Sequence, residues 1–321
     1  MRPLDGTEIA RRFGLGGRAR LSNGPVARGK QGLVWRLETA DGRWAVKVPL
    51  SPSSEDAVRL TTAFQEAARV AGVPAPEVRR TVDGHVFADL GGPRVRVYEW
   101  VDLLPPDPRL DAALVGAVVA AVHQVPVADV GPVDPWFQEP VGAGRWDELL
   151  HQLAQAGAPF VNRLAGLRDE LVALESWIEA PDVVRACHRD LWADNVLPTA
   201  AGGVCVLDWD NSGLADPSQE LGYVLFEFAR SDVGRARALR DAYRDAGGPG
   251  RLVHRGHFSM LIAQLGHITE IAATDWLVPN LRSPDRAESE AWISEVFDDP
   301  HTRERLDHLL AAVAGPPGPR K

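Results

Sequence analysis

Apolar and polar positions alternate through much of residues 21–101, and apolar positions recur at helical spacing through most of residues 109–314. GLVWRLETA and RWAVKVPL flank Asp41-Gly42, the pattern of a hairpin with a tight turn. VRRTV and HVFADL flank a second such pair, Asp83-Gly84, and PRVRVYEWV is a third run rich in β-branched and aromatic residues. Within RWAVKVPL, alternation puts Ala45, Lys47 and Pro49 on one face and Trp44, Val46 and Val48 on the other. Between the hairpins, SSEDAVRLTTAFQEAARVAG repeats Leu60, Phe64, Ala67, Ala68 and Ala71 at helical spacing. Ser53 or Ser54 caps its start, and Gly72 with Pro74 ends it. A short amphipathic helix is predicted over 7–13, with Ile9 and Phe13 one turn apart.

The pattern changes after the turn-prone LLPPDP. Helices are predicted over 109–124, 145–155, 160–179, 218–246, 255–277, 286–297 and 301–314. The interruption is 183–210, where short apolar runs such as VCVLDWD sit in a loop-and-strand context. The chain therefore divides into a strand-rich part, 1–101, and a larger, mostly helical part, 102–321, an α+β arrangement. Its 321 residues suffice for two domains or one bilobal unit.

Charge narrows the partners. The chain carries 35 basic and 44 acidic residues, a net charge of −9, without the basic stripe of a nucleic-acid binder. No apolar run approaches the ~20 residues of a membrane span, and the N-terminus lacks the apolar core of a signal peptide. Two cysteines, Cys187 and Cys205, read as free thiols of a reducing compartment, so a cytoplasmic protein is expected. No protein partner is implied. Lysine occurs only at Lys30, Lys47 and Lys321, the other 32 basic residues being arginine. A lysine kept inside an apolar strand, as Lys47 is, calls for a specific reason.

The chemistry-bearing constellation is HRDLWADN, His188 to Asn195, followed by Asp208 in VCVLDWD. Asp190, Asn195 and Asp208 place carboxylate and amide oxygens at loop or strand ends, a donor set for a hard cation such as Mg²⁺ rather than zinc. GPVARGKQ nearly spells a P-loop, but Gln31 stands where the metal-binding Ser or Thr belongs, and a strand rather than a helix comes next. His254, His257 and His267 lack a further clustered ligand, and no G-x-S-x-G elbow occurs.

HRDLWADN with VLDWDNSGLADPSQELG resembles the aminoglycoside phosphotransferase and choline kinase family of protein-kinase-like enzymes. The resemblance implies a bilobal fold: a small antiparallel-sheet N-lobe with one helix, and a larger, mostly helical C-lobe. It also implies roles. Asp190 is similar to the catalytic aspartate that orients the attacking hydroxyl, and His188 to the histidine that holds this loop. Asn195 and Asp208 are similar to the Mg²⁺ ligands; Asp210 either reaches a second Mg²⁺ or caps a turn. Lys47 resembles the strand lysine that contacts the phosphates of ATP or GTP, and Glu66, in the predicted helix, is its expected partner, with Glu55 as second choice. Gly29 and Gly32 partly match a phosphate loop, with Ala27 in place of a first glycine and Lys30 at the tip. The backbone of Glu99 and Val101 would hold the base of the nucleotide.

HRD also occurs in protein kinases, but Trp192 replaces their lysine, Trp-Asp comes after Asp208 where they have Phe-Gly, and no A-P-E is present downstream. A small-molecule hydroxyl is therefore the expected acceptor. An antibiotic of aminoglycoside type leads; an amino alcohol or sugar, and a catalytically silent nucleotide-binding module, are the alternatives. Trp192 is the best candidate to line the acceptor pocket. Asp216, Glu270 and Trp276 would serve a cationic acceptor if the acidic, tryptophan-bearing segment 270–299 faces it, although capping is the simpler account of Asp216.

Overall fold

The computed structural model describes residues 4–29, 32–50, 54–92, 94–126, 133–278 and 283–314. Asp5 opens helix α1 (Gly6–Phe13), its carboxylate accepting the Thr7 N–H at 2.8 Å. Strands β1 (Arg20–Leu21), β2 (Ala27–Arg28), β3 (Gly32–Thr39) and β4 (Gly42–Pro49) come next, then helix α2 (Glu55–Val70) and strands β5 (Val78–Arg79), β6 (Ala88–Asp89) and β7 (Arg94–Glu99). These strands form an antiparallel sheet along the path β1-β3-β4-β7-β5, with β2 added on β3 and β6 on β7. The β3–β4 register pairs Thr39 with Gly42, so the turn residues are Ala40 and Asp41, one place earlier than the Asp41-Gly42 signal implies. The second hairpin does not form. Its turn closes, Thr81 N–H donating to the His85 carbonyl at 2.9 Å, but β5 and β6 each pair with β7 instead of each other. Burial of Val95 and Val97 makes β7 the strand that both can join.

Alternation on β4 holds: Val46 and Val48 enter a core with Ile9, Phe13, Trp35, Leu37, Val95 and Val97. Burying Ile9 and Phe13 there is worth about 1.5–3 kcal/mol each, which anchors a helix too short to persist alone.

The chain continues through α3 (Ala112–His123), α4 (Ala143–Ala156), α5 (Val161–Glu175), β8 (Arg185–Cys187), β9 (Val196–Pro198), β10 (Val204–Val206), β11 (Gly213–Ala215), α6 (Pro217–Ala229), α7 (Val233–Asp245), α8 (Ser259–Trp276), α9 (Ser283–Asp298) and α10 (Arg303–Val313). The helix predicted over 218–246 is two helices. Arg230 takes a positive φ of 51°, and Asp232 starts α7 by accepting the Arg235 N–H at 3.0 Å. No helix among the described residues is long and apolar enough to cross a membrane. Both cysteines are free and buried.

The described residues fall into two compact units. One gathers those within 1–107, 124–131 and 190–213; the other gathers those within 108–123, 132–189 and 214–321. The segment that carries β9 and β10 thus packs with the strand-rich part of the chain. In the helical unit, Trp146, Leu149, Leu153, Phe160, Leu164 and Trp276 belong to one core. Helices α3 and α7 cross closely at Gly116, where an added Cβ would collide with the Leu239 carbonyl oxygen.

Candidate active site

The Asp190–Asp208 segment is built on the β9–β10 ladder, which pairs Val196 with Val206. The pairing continues one step, Leu207 N–H donating to the Asn195 carbonyl at 2.8 Å, and so brings Asn195 alongside the residues next to Asp208. A turn on the Trp192 carbonyl, which accepts from Asn195 N–H at 2.9 Å and Val196 N–H at 3.0 Å, sets the other side. The Asn195 amide donates to the Asp190 carbonyl at 2.8 Å, which fixes its orientation and reserves its oxygen as an acceptor. Asn211 donates to one Asp190 carboxylate oxygen at 3.0 Å. Below this loop, Trp209 is buried edge-on against Phe64 of α2, ring centroids 5.3 Å apart. Asp208 holds a left-handed backbone, φ 50°, a conformation that costs an L-residue about 1 kcal/mol and that surrounding structure must enforce.

Lys47 reaches that loop from β4. Its Nζ donates to Asp208 Oδ1 at 2.8 Å and to Asp210 Oδ2 at 2.9 Å. Arg96, directly across from Lys47 in the β4–β7 register, grips both Asp210 oxygens with its two terminal nitrogens. Two cations opposite each other in a sheet repel, and Asp210 between them removes the repulsion. Burial alone would lower the Lys47 pKa, but Asp208 and then Asp210 outweigh it and hold the ammonium charged above the ordinary lysine value. Burial likewise opposes charge on Asp210, and Arg96 with Lys47 overrides it, holding the carboxyl well below the usual range. Both Asp210 oxygens serve this ion-pair cluster.

The expected Lys47–Glu66 pair is absent. Glu66 is taken by Arg80, whose Nε and Nη2 donate at 2.9 and 2.8 Å, and Glu55 lies exposed in the first turn of α2. Asp208 and Asp210 already fill the space around the lysine head. Gly32 begins β3, where an added Cβ would sit 3.2 Å from Lys47 Cε and 3.0 Å from the Val48 carbonyl oxygen, so a side chain there would displace the lysine. Gly29 closes the preceding hairpin, its N–H donating to the Gly32 carbonyl at 2.9 Å. Lys30 lies outside the described residues. Glu99 ends β7 opposite Trp44, and Val101, two residues on, is half-buried.

In the helical unit, His188 is buried, and its N–H donates to Glu220 Oε2 at 3.2 Å. The Arg189 N–H donates to the other oxygen of Glu220. Asp216 caps α6 and is buried, accepting N–H groups of Ser218 at 2.7 Å, Asp182 at 2.9 Å and Val183 at 3.3 Å. That burial removes it from any acceptor surface. Glu270 is bound by Arg145, whose Nε donates at 2.8 Å, and Trp276 is 5% exposed, packed on Phe160 with its indole N–H on Glu290 at 2.8 Å. Glu270 and Trp276, named for a cationic acceptor, thus have internal partners. Trp192 is half-buried in the strand-rich unit. His254 and His257 do meet Asp182, contrary to the expectation that no clustered ligand accompanies them. His257 Nδ1 accepts the Val253 N–H at 3.2 Å, so in the neutral ring Nε2 carries the proton and offers no lone pair to a metal.

Residues 24–257 match the model of the APH phosphotransferase enzyme family. The chain belongs to that family. No curated protein matches the sequence. Among solved structures, it is similar to a spectinomycin phosphotransferase, APH(9)-Ia, in complex with ADP and spectinomycin. That likeness has a TM-score of 0.66 and 15% identity over 95% of this chain and 97% of the other. An aminoglycoside phosphotransferase from Alicyclobacillus acidocaldarius matches with a TM-score of 0.63 and 18% identity over 98% and 96% of the two chains. An amicoumacin kinase, hAmiN, in complex with AMP-PNP and Ca²⁺, matches with a TM-score of 0.60 and 16% identity over 91% and 92%. These likenesses establish the protein-kinase-like fold. The chain is thus a phosphotransferase with that fold.

Several residues that contact the 188–210 segment or its partners escape a sequence reading. Glu220, 0% exposed, accepts from His123 Nε2 at 2.7 Å as well as from the 188–189 backbone. His123 Nδ1 lies 2.7 Å from the Tyr243 hydroxyl, which accepts the Gly250 N–H at 2.8 Å. One proton arrangement satisfies every group: tyrosine O–H to Nδ1, and Nε2–H to Glu220. Burial opposes the Glu220 charge, and His123 is foremost in holding the carboxyl below its ordinary range. In the sequence, Glu220 is visible only as part of a family-like segment. Arg96 sits on a strand predicted as apolar, and nothing local distinguishes it from the many surface arginines.

Proposed function

We propose that this phosphotransferase moves the γ-phosphate of ATP or GTP to a hydroxyl of an aminoglycoside-like or other antibiotic acceptor, with Mg²⁺. The observation that carries the reading is the joining of Lys47 to Asp208 at 2.8 Å within the unit that also holds Asp190 and Asn195. Charge supports it. Lys47 and Arg96 are cancelled by Asp208 and Asp210, so the strand-rich cluster has no net cation to offer a triphosphate. Counter-charge from a divalent cation fits that deficit. The donors also fit: the Asn195 amide oxygen is left by its N–H₂ commitment to Asp190, and Lys47 engages only one Asp208 oxygen. Bound there, Mg²⁺ would supply charge neutralisation at the β- and γ-phosphates.

The remaining roles belong to the chain. Lys47 would hold the phosphates, kept protonated by Asp208 and Asp210, with Arg96 holding Asp210 in place. Gly29 and Gly32 would admit the phosphates close to the backbone, and Glu99 and Val101 would receive the base through main-chain groups. Asp190, with one oxygen fixed by Asn211, would orient the acceptor hydroxyl and take up its proton. His188 would act as scaffold through its backbone contact with Glu220. Trp192 would line the acceptor side. Positioning and charge neutralisation would account for most of the acceleration. Two free, buried thiols support a cytoplasmic setting.

The test is nucleoside-diphosphate release with Mg²⁺ and ATP or GTP across aminoglycosides, other hydroxylated antibiotics, choline, ethanolamine and amino sugars. Release that depends on one acceptor and is lost in Asp190→Ala supports the reading and names the branch. Nucleotide binding without turnover on any acceptor would favour the silent module, and an absence of nucleotide binding would overturn the assignment.

A further inference from the structure

We propose that a cavity in the helical unit binds a small amphipathic monocarboxylate, and that its occupancy stiffens the loop residues immediately before Asp190. The cavity, of about 330 Å³, lies between α6, α7, the 250–253 segment and the end of α10. Its apolar wall comes from Leu221, Tyr243, Leu252, Val253 and Val313. Four of these are buried in the protein, while Val253 is 60% exposed and carries the apolar wall out to solvent. That volume is at the low end for small-molecule sites.

The polar part of the lining is cationic: Arg240, Arg244 and Arg251. Arg240 and Arg244 are answered by Asp241 and Asp245. Arg251 is not. Its Nη1 donates to the Gly248 and Gly250 carbonyls at 2.6 Å each, and no carboxylate among the described residues pairs with it. A guanidinium held by two neutral carbonyls keeps its charge and its other donors, and its planar fork is oriented before any ligand arrives. One fixed cation beside an apolar wall selects an apolar body bearing one carboxylate. A sugar or a phosphate dianion would bury unmatched polar groups against Leu221 and Leu252.

The same wall is wired to the loop. Gly250, in the lining, donates its N–H to the Tyr243 hydroxyl, which meets His123. His123 meets Glu220, and Glu220 receives the N–H groups of His188 and Arg189. Every link is buried, so ordering the 250–253 segment around a ligand is transmitted to the two amides without exchange with water. An effect on phosphotransfer rests on the function proposed above, whereas binding and amide exchange can be measured without it, so the two readings fail separately.

The experiment uses the full chain and octanoate as probe, with octanol and octylamine as controls. Calorimetric titration should give saturable octanoate binding at least about tenfold tighter than either control, the margin expected of one charge-assisted pair. Arg251→Ala and, as a variant on an exposed position, Val253→Asp should each weaken it about tenfold or more. Hydrogen exchange should slow several-fold at the amides of 188–189 on saturation, and not in Tyr243→Phe. No saturable binding, equal binding of the amine, or binding indifferent to both variants would overturn the site. Binding with unchanged exchange at 188–189 would overturn the coupling.

Discussion

Two charged networks attach to the 188–210 segment, and they are built on opposite plans. The Lys47–Arg96–Asp208–Asp210 cluster crosses between strands and loop, its side chains are 6–33% exposed, and it includes a residue in a left-handed conformation. The Glu220–His123–Tyr243 network is sealed, with Glu220 and the His123 side chain 0% exposed, and it spends its acceptors on backbone amides. Under the function proposed above, the first cluster would exchange partners with a nucleotide and would need water access and spare lone pairs. A cluster that only holds a loop is strongest when every group is satisfied and dry. Activity and stability should therefore separate between them.

The largest effect is expected at Asp190, which belongs to neither network. Asp190→Ala should lower kcat by about 10³–10⁴, with the Tm almost unchanged and nucleotide affinity retained. Diphosphate release and a thermal melt check both halves. Glu220→Gln comes next and should do the reverse. Loss of a buried, multiply bonded carboxylate costs about 3–5 kcal/mol, a fall in Tm of roughly 10 °C. An unchanged melting curve would erase the contrast between the two networks.

Acidity separates buried from open groups in a third way. His301 is buried, and that burial, together with the lesser effect of Arg305, lowers its pKa to about 4. Below the ordinary histidine pKa the unfolded chain binds a proton that the folded chain refuses, so stability falls as pH drops from about 6.5 towards 4, by up to ~3 kcal/mol. Denaturant titrations across that range should show the slope, and His301→Gln should flatten it. Smaller still, Lys47→Ala should raise the nucleotide KM by about 10- to 100-fold, the worth of a charge-assisted contact, with little change in Tm. Asn211→Ala should lower kcat about tenfold by releasing one Asp190 oxygen, leaving nucleotide binding alone. Single-turnover kinetics and nucleotide titration distinguish these last two.

Much of this molecule is legible in one dimension. Alternation set the side of β4 on which Val46 and Val48 lie, apolar spacing marked α1, Asp41-Gly42 marked the β3–β4 hairpin to within one residue, and the HRDLWADN spacing carried the resemblance that the family match bears out. Pairings between distant residues were the part that failed. The Asp83-Gly84 turn formed, yet its flanking strands chose β7, because a turn brings two segments near without deciding which neighbour buries more apolar surface. Glu66 and Lys47 each found a nearer partner.

The sequence by itself thus determined most of the elements, the strand-then-helix order and the spacing of Asp190, Asn195 and Asp208, since these arise from backbone periodicity and local hydrogen bonding. Only the tertiary structure decided that Arg96 would answer Asp210 across 114 positions, that Glu220 would meet His123 across 97, and that Trp276 would turn inward. Charge pairing depends on distance in space, and a periodic pattern carries no information about which polar side chains the packed cores will bring face to face.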